Sequence, residues 1–331
     1  MIRTTRLVAF LLAVATAFFT AARADEPRAA PLRVVATIED LGGITRAIGG
    51  ERVDVTVIAR DGQNLHGVRV KPSHLVAISK AEVFVQVGLS LEHAWVPGLL
   101  EAARNTRVQP GGAGFIDAGA GFATIDVPES LDRAQGVDVH PEGNPHVNLS
   151  VDGGPHFARA ILAGLVRVDP AGETLYRANF AAWERSYAAA RERWDRAAAA
   201  CARAVQERGA PLAVLEYHRE FDYLLRFLGV EVAGTIEPKP GVPPTPSHLR
   251  ELVKVGSERG VRVVLTASWS NDRTTKRVAQ QCGASVLELA LTTPTGSTWV
   301  EGLDARITQL VAALGVVVPT ETVSSGAESP R

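Results

Sequence analysis

The segment GNPHVNLSVDGGPH, residues 143–156, sets two Pro-His pairs ten positions apart in a chain with only eight histidines. Neutral imidazole is a metal ligand and a general base near neutral pH. A preceding proline restricts the backbone, so a ring held there loses little freedom on binding. His66, in ARDGQNLHGVRVKPSHL, follows an apolar β-rich run, and His218, in LAVLEYHREF, comes immediately after another. In open parallel sheets ligands bind beyond the carboxyl ends of the strands, so His66, His146 and His218 could converge in one cleft. Three imidazoles suit Zn²⁺, which accepts nitrogen ligands from scattered loops in tetrahedral geometry. The alternative is that each is a separate surface or satisfied core histidine, and spacing alone does not decide. KPSHL (71–75) and TPSHL (245–249) form an internal echo. It predicts N-caps at Ser73 and Ser247, with His74 and His248 as neutral first-turn residues.

The elements that must position these side chains alternate. Apolar runs at 32–38, 53–58, 83–88, 212–216, 230–236, 261–266 and 285–289 read as strands, and helical patterns near 40–49, 73–80, 92–104, 219–228, 248–259 and 272–281 lie between them. Such alternation predicts an α/β protein of two lobes, each a mainly parallel sheet flanked by helices. Between the lobes, 155–167 and 172–207 lack strand character. Tyr176, Phe180, Trp183, Tyr187, Ala190, Trp194, Ala198, Cys201 and Val205 recur at steps of three or four and make one apolar face. A rod of that length, about 50 Å, joins both lobes as a rigid bridge. The expected division is 1–24 export signal, 25–154 N-terminal lobe, 155–208 bridging helix, 209–314 C-terminal lobe and 315–331 flexible tail.

Residues 1–24 carry Arg3 and Arg6, an apolar run from Leu7 to Phe19 and the small-residue ending Ala22-Arg23-Ala24, the pattern of a secretory signal peptide. No cysteine follows closely, so a periplasmic protein without a lipid anchor is expected. The formal net charge is −1 and basic residues are scattered among acids, which argues against a nucleic-acid partner. Cys201 and Cys282 could pair after export, although Cys201 also falls on the apolar stripe of the bridge, where a thiol packs as a small hydrophobe.

NLHGVRVKPSHLVAISKAEVFVQVGLSLEHAW, GNPHVNLS, EYHREFDYLLRFLG and IEPKPGVPPTPSHLREL occur in an order and spacing that resemble the zinc and manganese ABC-transporter substrate-binding proteins, the cluster A-I family, from about 32 to 313. The resemblance implies two α/β lobes on one long helix, with His66, His146 and His218 as metal ligands. It implies no ligand role for His156, which reads as a helix-start residue. The family commonly places an aromatic two residues after its Pro-His, where this chain has Asn148. In many members a carboxylate near the last strand completes the site. Here the fourth ligand stays open among Glu288, Asp272, His140 and water.

Three imidazoles with at most one carboxylate favour Zn(II) over the harder Mn(II), with nickel or copper behind. Glu92, Glu216 or Glu237 could orient a ring through its other nitrogen. The alternative is that these are surface charges, and Glu216 is read that way. The expected function is capture of Zn(II) in the inter-lobe cleft and delivery to an ABC-transporter permease in the inner membrane, by a monomer that makes and breaks no bond. A zinc hydrolase is the rival, since three histidines and an open position also activate water, but no HExxH motif occurs. A metal-dependent adhesin is the second alternative.

Overall fold

In the computed structural model the described residues are 30–60, 62–129, 140–270 and 272–319. The export signal at 1–24 and residues 320–331 of the tail lie outside them. Two four-stranded, wholly parallel sheets organise the chain. The first contains β1 (Leu32–Ala36), β2 (Val53–Val57), β3 (Val83–Gln86) and β4 (Phe115–Asp117) in the order β2-β1-β3-β4. The second contains β5 (Ala213–Glu216), β6 (Glu231–Thr235), β7 (Val263–Ala267) and β8 (Ser285–Leu289) in the order β6-β5-β7-β8. The two lobes thus repeat one topology. β-Branched runs such as Val34-Val35 and Val263-Val264 are buried on both faces because helices cover both sides.

The N-terminal sheet is wrapped by α1 (Glu39–Gly49), α2 (Pro72–Lys80), α3 (Val96–Ala103) and α4 (Gly153–Val168). The C-terminal sheet carries α6 (Asp222–Leu228), α7 (Pro246–Glu258), α8 (Asp272–Cys282) and α9 (Trp299–Ala313). Between them α5 runs unbroken for 36 residues, Glu173–Arg208, about 54 Å at the α-helical rise. It starts after the turn at Pro170 and stops at Gly209, which takes a left-handed φ of 62°. Tyr176, Trp183, Ala190, Trp194, Ala197, Ala200 and Cys201 are its buried face. They touch α1 and α4 from one lobe and α6 and α9 from the other.

The lobes also share an interior. One apolar cluster extends from Val34 to Val316 through Trp183, Trp194 and Trp299, and a smaller one lies between the C-terminal sheet and α7 and α8. Across the junction Asp40 accepts from the Thr293 backbone N–H (3.0 Å) and hydroxyl (3.1 Å). Asn148, fully buried, donates to the Leu291 carbonyl (2.7 Å), and its own carbonyl accepts from Trp299 Nε1 (2.9 Å). Each buried hydrogen bond left unmade would cost about 1–3 kcal/mol, so separating the lobes breaks a core and strands polar groups at once.

Several local readings are corrected. β4 and α9 were not anticipated. α3 begins at Val96, not 92, because Gly88, Leu89 and Ser90 take φ of 77°, 52° and 62° and turn the chain. A Cβ on Gly88 would meet Asp117 Oδ1. That turn sends Glu92 inward, where it accepts from Thr37 Oγ1 (2.7 Å), Val87 N (2.8 Å) and Gly88 N (3.0 Å). The helix caps fall two residues earlier than expected, at Lys71 and Thr245, since Pro72 and Pro246 occupy the first helical position. Cys201 and Cys282 are free thiols, one buried in the α5 stripe and the other at the end of α8.

Candidate metal centre

A short Asx turn precedes two of the three histidines. Asn64 Oδ1 accepts from the His66 backbone N–H (2.9 Å), and Asn144 Oδ1 accepts from that of His146 (3.0 Å). Asparagine favours this two-residue turn because its amide oxygen stands in for a backbone carbonyl. The Asn-Xaa-His repeat is visible in the sequence, but its meaning appears only with the distances. Trp95 Nε1 donates to the Leu65 carbonyl (2.9 Å) and pins the His66 loop to the N-terminal lobe. His218 sits where β5 gives way to a turn, beside the point at which the strand order of the C-terminal sheet reverses. Its Nδ1 meets Glu237 Oε2 at 2.9 Å, and Trp269 stands edge-on, 6.1 Å between ring centroids.

The three side chains meet. His66 and His146 bring their Nε2 atoms to 3.2 Å, and one ring nitrogen from each of His66, His146 and His218 lies within 4.8 Å of the others. Two nitrogens on one tetrahedral Zn²⁺ at about 2.05 Å would stand about 3.3 Å apart. The rings are 7%, 1% and 8% exposed. Burial, then repulsion from His218 and His93, pushes the His66 imidazole down to about 3. His146 is held well below the ordinary value by burial and by its histidine neighbours. The His66 and His146 rings are therefore neutral at physiological pH, with lone pairs available to a cation.

Among the described residues no carboxylate joins this group. Glu288 is exposed on β8, and the side chain of Asp272 lies outside the described residues. His140 stacks on His66 with centroids 4.9 Å apart and planes 26° apart. Of the acids considered for orienting the rings, Glu237 reaches one. Glu92 is spent on the turn at Val87-Gly88, and burial pushes its carboxyl up to about 7. Glu216 is not a surface charge: it is fully buried and accepts from Phe221 N (3.3 Å). The remaining histidines keep local roles. His74 Nδ1 accepts from Lys71 N, His248 Nε2 bonds the Thr235 carbonyl (2.8 Å), and His156 Nε2 bonds the Ala120 carbonyl (3.0 Å).

Sequence reasoning missed the frame around the site. Asn144 Nδ2 donates to the Arg219 carbonyl (3.0 Å) and to Asp222 Oδ2 (3.2 Å), while Tyr223 Oη donates to the Asn144 carbonyl (2.8 Å). These bonds tie the His146 loop to the turn that carries His218. A cavity of about 430 Å³ opens beside them, lined by Asp126, His140, His146, His218, Arg219 and Lys239 among others. Among the described residues no helix is long and apolar enough to cross a membrane.

A sequence profile for the family described as Zinc-uptake complex component A periplasmic matches residues 34–313. A protein of Treponema pallidum is 28% identical over 265 residues, covering 77% of this chain and 78% of its own length. The manganese ABC transporter substrate-binding lipoprotein PsaA of Streptococcus pneumoniae is 25% identical over 283 residues, 83% of this chain and 85% of that protein. Among solved structures, that of a zinc-bound ZnuA deletion mutant superposes with a TM-score of 0.70 at 23% identity, over 87% of this chain and 100% of the other. That superposition speaks for the two-lobed fold.

Proposed function

The chain belongs to the Zinc-uptake complex component A periplasmic family, and from that premise we propose that it captures Zn(II) on His66, His146 and His218 and delivers it to an ABC-transporter permease. Membership makes it a metal-binding substrate-binding protein of such a transporter and not an enzyme. The ion is cargo, held in the cleft between the lobes and released unchanged.

The observation that carries the choice of zinc is the donor set. Three buried imidazoles converge, and among the described residues no carboxylate joins them as a further donor. Mn(II) and Fe(II) gain more from oxygen donors, whereas Zn(II) is content with nitrogen at low coordination number. Glu237 supports the same reading. By accepting from His218 Nδ1–H it fixes the tautomer that puts the ring's lone pair on Nε2, and it raises that nitrogen's basicity. On this reading the protein works in the periplasm as a monomer, and its partners are the ion and the inner-membrane permease.

Metal analysis of protein purified without added metal or chelator tests it. One equivalent of zinc is expected, resisting excess Mn(II) and lost in the variant His66→Ala/His146→Ala/His218→Ala. Preferential retention of manganese, or zinc content unchanged in the triple variant, would overturn the assignment.

A further inference from the structure

Between β4 and α4 the N-terminal lobe leans a strap of chain on α6 of the C-terminal lobe. Its two legs, 124–126 and 142–144, are fastened to each other. Thr124 Oγ1 donates to the Glu142 carbonyl, and Asn144 N donates to the Ile125 carbonyl (2.8 Å). Gly143 turns there at a φ of 97°, where a Cβ would run into that same Ile125 carbonyl. The legs are then fastened to the other lobe. Ile125 N donates to Tyr223 Oη (3.2 Å), and that hydroxyl donates to the Asn144 carbonyl (2.8 Å). Phe122 stands edge-on to the Tyr223 ring, 6.0 Å between centroids. One side chain of α6 thus holds both legs.

The next residue carries the charge. Asp126 takes a left-handed backbone, φ 55°, and its two carboxylate oxygens accept from two arginines of the opposite lobe, Arg219 Nη2 (3.2 Å) and Arg226 Nη2. Arg219 is shared, since it also pairs with Asp222 (2.9 Å), which accepts from Asn144 Nδ2 (3.2 Å). Arg219 directly follows His218, and Asn144 shapes the turn of His146. Asp126 and Arg219 border the same cavity of about 430 Å³ as those two histidines. Their side chains are 33% and 45% exposed, and that of Arg226 52%. Ion pairs so exposed add little to global stability and are within reach of dissolved salt. They suit a contact that sets a rate and does not hold up the fold.

We propose that Asp126 is a positioning residue for metal retention: its pairs with Arg219 and Arg226 clasp the strap across the two lobes, and the clasp must open before the ion leaves His146 and His218. The inference rests on the assignment of the three histidines as the transport site, and the test separates the two. Release of Zn(II) from the loaded full chain into excess chelator is timed by stopped-flow at low and at high salt. In the metal-free chain the exchange of the Ile125 and Asn144 amide hydrogens reports closure of the strap without any ion. The proteins compared are the wild type, Asp126→Asn, Arg226→Gln, the double variant, and the triple histidine variant. Asparagine tolerates the left-handed backbone, so Asp126→Asn removes the charge and keeps the turn. Wild-type release should quicken as salt rises. Asp126→Asn should release roughly fivefold faster at low salt, with the salt dependence nearly gone, and the double variant should be no faster than Asp126→Asn. Both amides should exchange faster in Asp126→Asn. An unchanged release rate, a salt dependence equal to that of the wild type, or unchanged exchange of the two amides overturns the clasp. A wild type that binds no Zn(II) tightly, or a triple histidine variant that still does, overturns the transport assignment instead, and the amide exchange then still decides whether Asp126 closes the strap.

Discussion

His146 and His218 approach the site from opposite lobes yet are tied to one another, whereas His66 hangs from a loop with its own separate anchor. On the first side Asn144 shapes the His146 turn and also donates to Arg219 and Asp222, Tyr223 closes onto the Asn144 carbonyl, and Glu237 holds the His218 ring. On the second side Asn64 makes the same turn for His66 and Trp95 holds Leu65. Neither of those contacts reaches the other lobe. One half of the site is thus preorganised by cross-lobe bonds and the other by local ones. The lesson is that equal ligands can have unequal supports, and that a variant away from the ligands can tell the halves apart.

The largest effect should come from the three proposed ligands themselves. If a zinc site of about 10 kcal/mol is shared by three nitrogens, removing one costs about 3 kcal/mol, at least about a hundredfold in affinity. His66→Ala and His218→Ala should both show it in competition with a chromogenic chelator, and zinc retained at the wild-type level by either variant would break the comparison at its root. Glu237→Gln comes next. Loss of a carboxylate partner on a ligand typically costs about 10–100-fold in metal affinity, and the loss should be specific to the metal, with little change in the melting temperature of the metal-free protein.

The asparagines sharpen the contrast directly. Asn144→Ala removes three hydrogen bonds that shape and tether the His146 turn, and Asn64→Ala removes one. At about 1 kcal/mol per bond, part of it felt as stability, we expect roughly tenfold weaker zinc binding for the first and roughly fivefold or less for the second. Equal effects would mean that the cross-lobe ties do not contribute. The smallest effect is on acid stability without metal. His66 and His146 resist protonation when folded but take protons near 6.5 when unfolded. Their contribution is therefore full above about 6.5 and lost as pH falls towards 3. Glu92, raised to about 7, has the opposite sign, contributing below its unfolded value and losing that contribution as pH rises through 7. Melting temperatures of the metal-free protein and of His66→Gln, measured between pH 7 and 4, share Glu92, so their difference isolates the histidine. The variant should show the shallower fall.

Much of this architecture is legible in the chain because its signals are local. Runs such as LRVVA and VRVVLT, whose cores Val34–Ala36 and Val263–Ala267 are buried on both faces, read as strands without any neighbour in view, and the α5 stripe keeps helical spacing for ten turns. β4 was missed because three residues in a glycine-rich stretch carry no period. The start of α3 was misplaced because Leu89 and Ser90 adopt backbones that their side chains do not advertise. At the site, His66, His146 and His218 can be singled out by place and by resemblance, but the roles of Asn144, Asn148 and Tyr223 depend on partners 75 or more residues away. Glu216 reads as an ordinary charge until its burial is known. Asn148 is the clearest case. It looks like a lapse from an aromatic pattern, and it is the residue whose amide and carbonyl join the two lobes.

The interior that runs from Val34 to Val316 has a consequence for whatever receives the ion. A carrier whose halves are welded through one common filling has almost the same silhouette loaded and empty. A receiver at the membrane could not sort full from vacant molecules by outline. It would have to feel for charge and side-chain posture within a few ångströms of the cargo, so discrimination and unloading would happen at the same small patch.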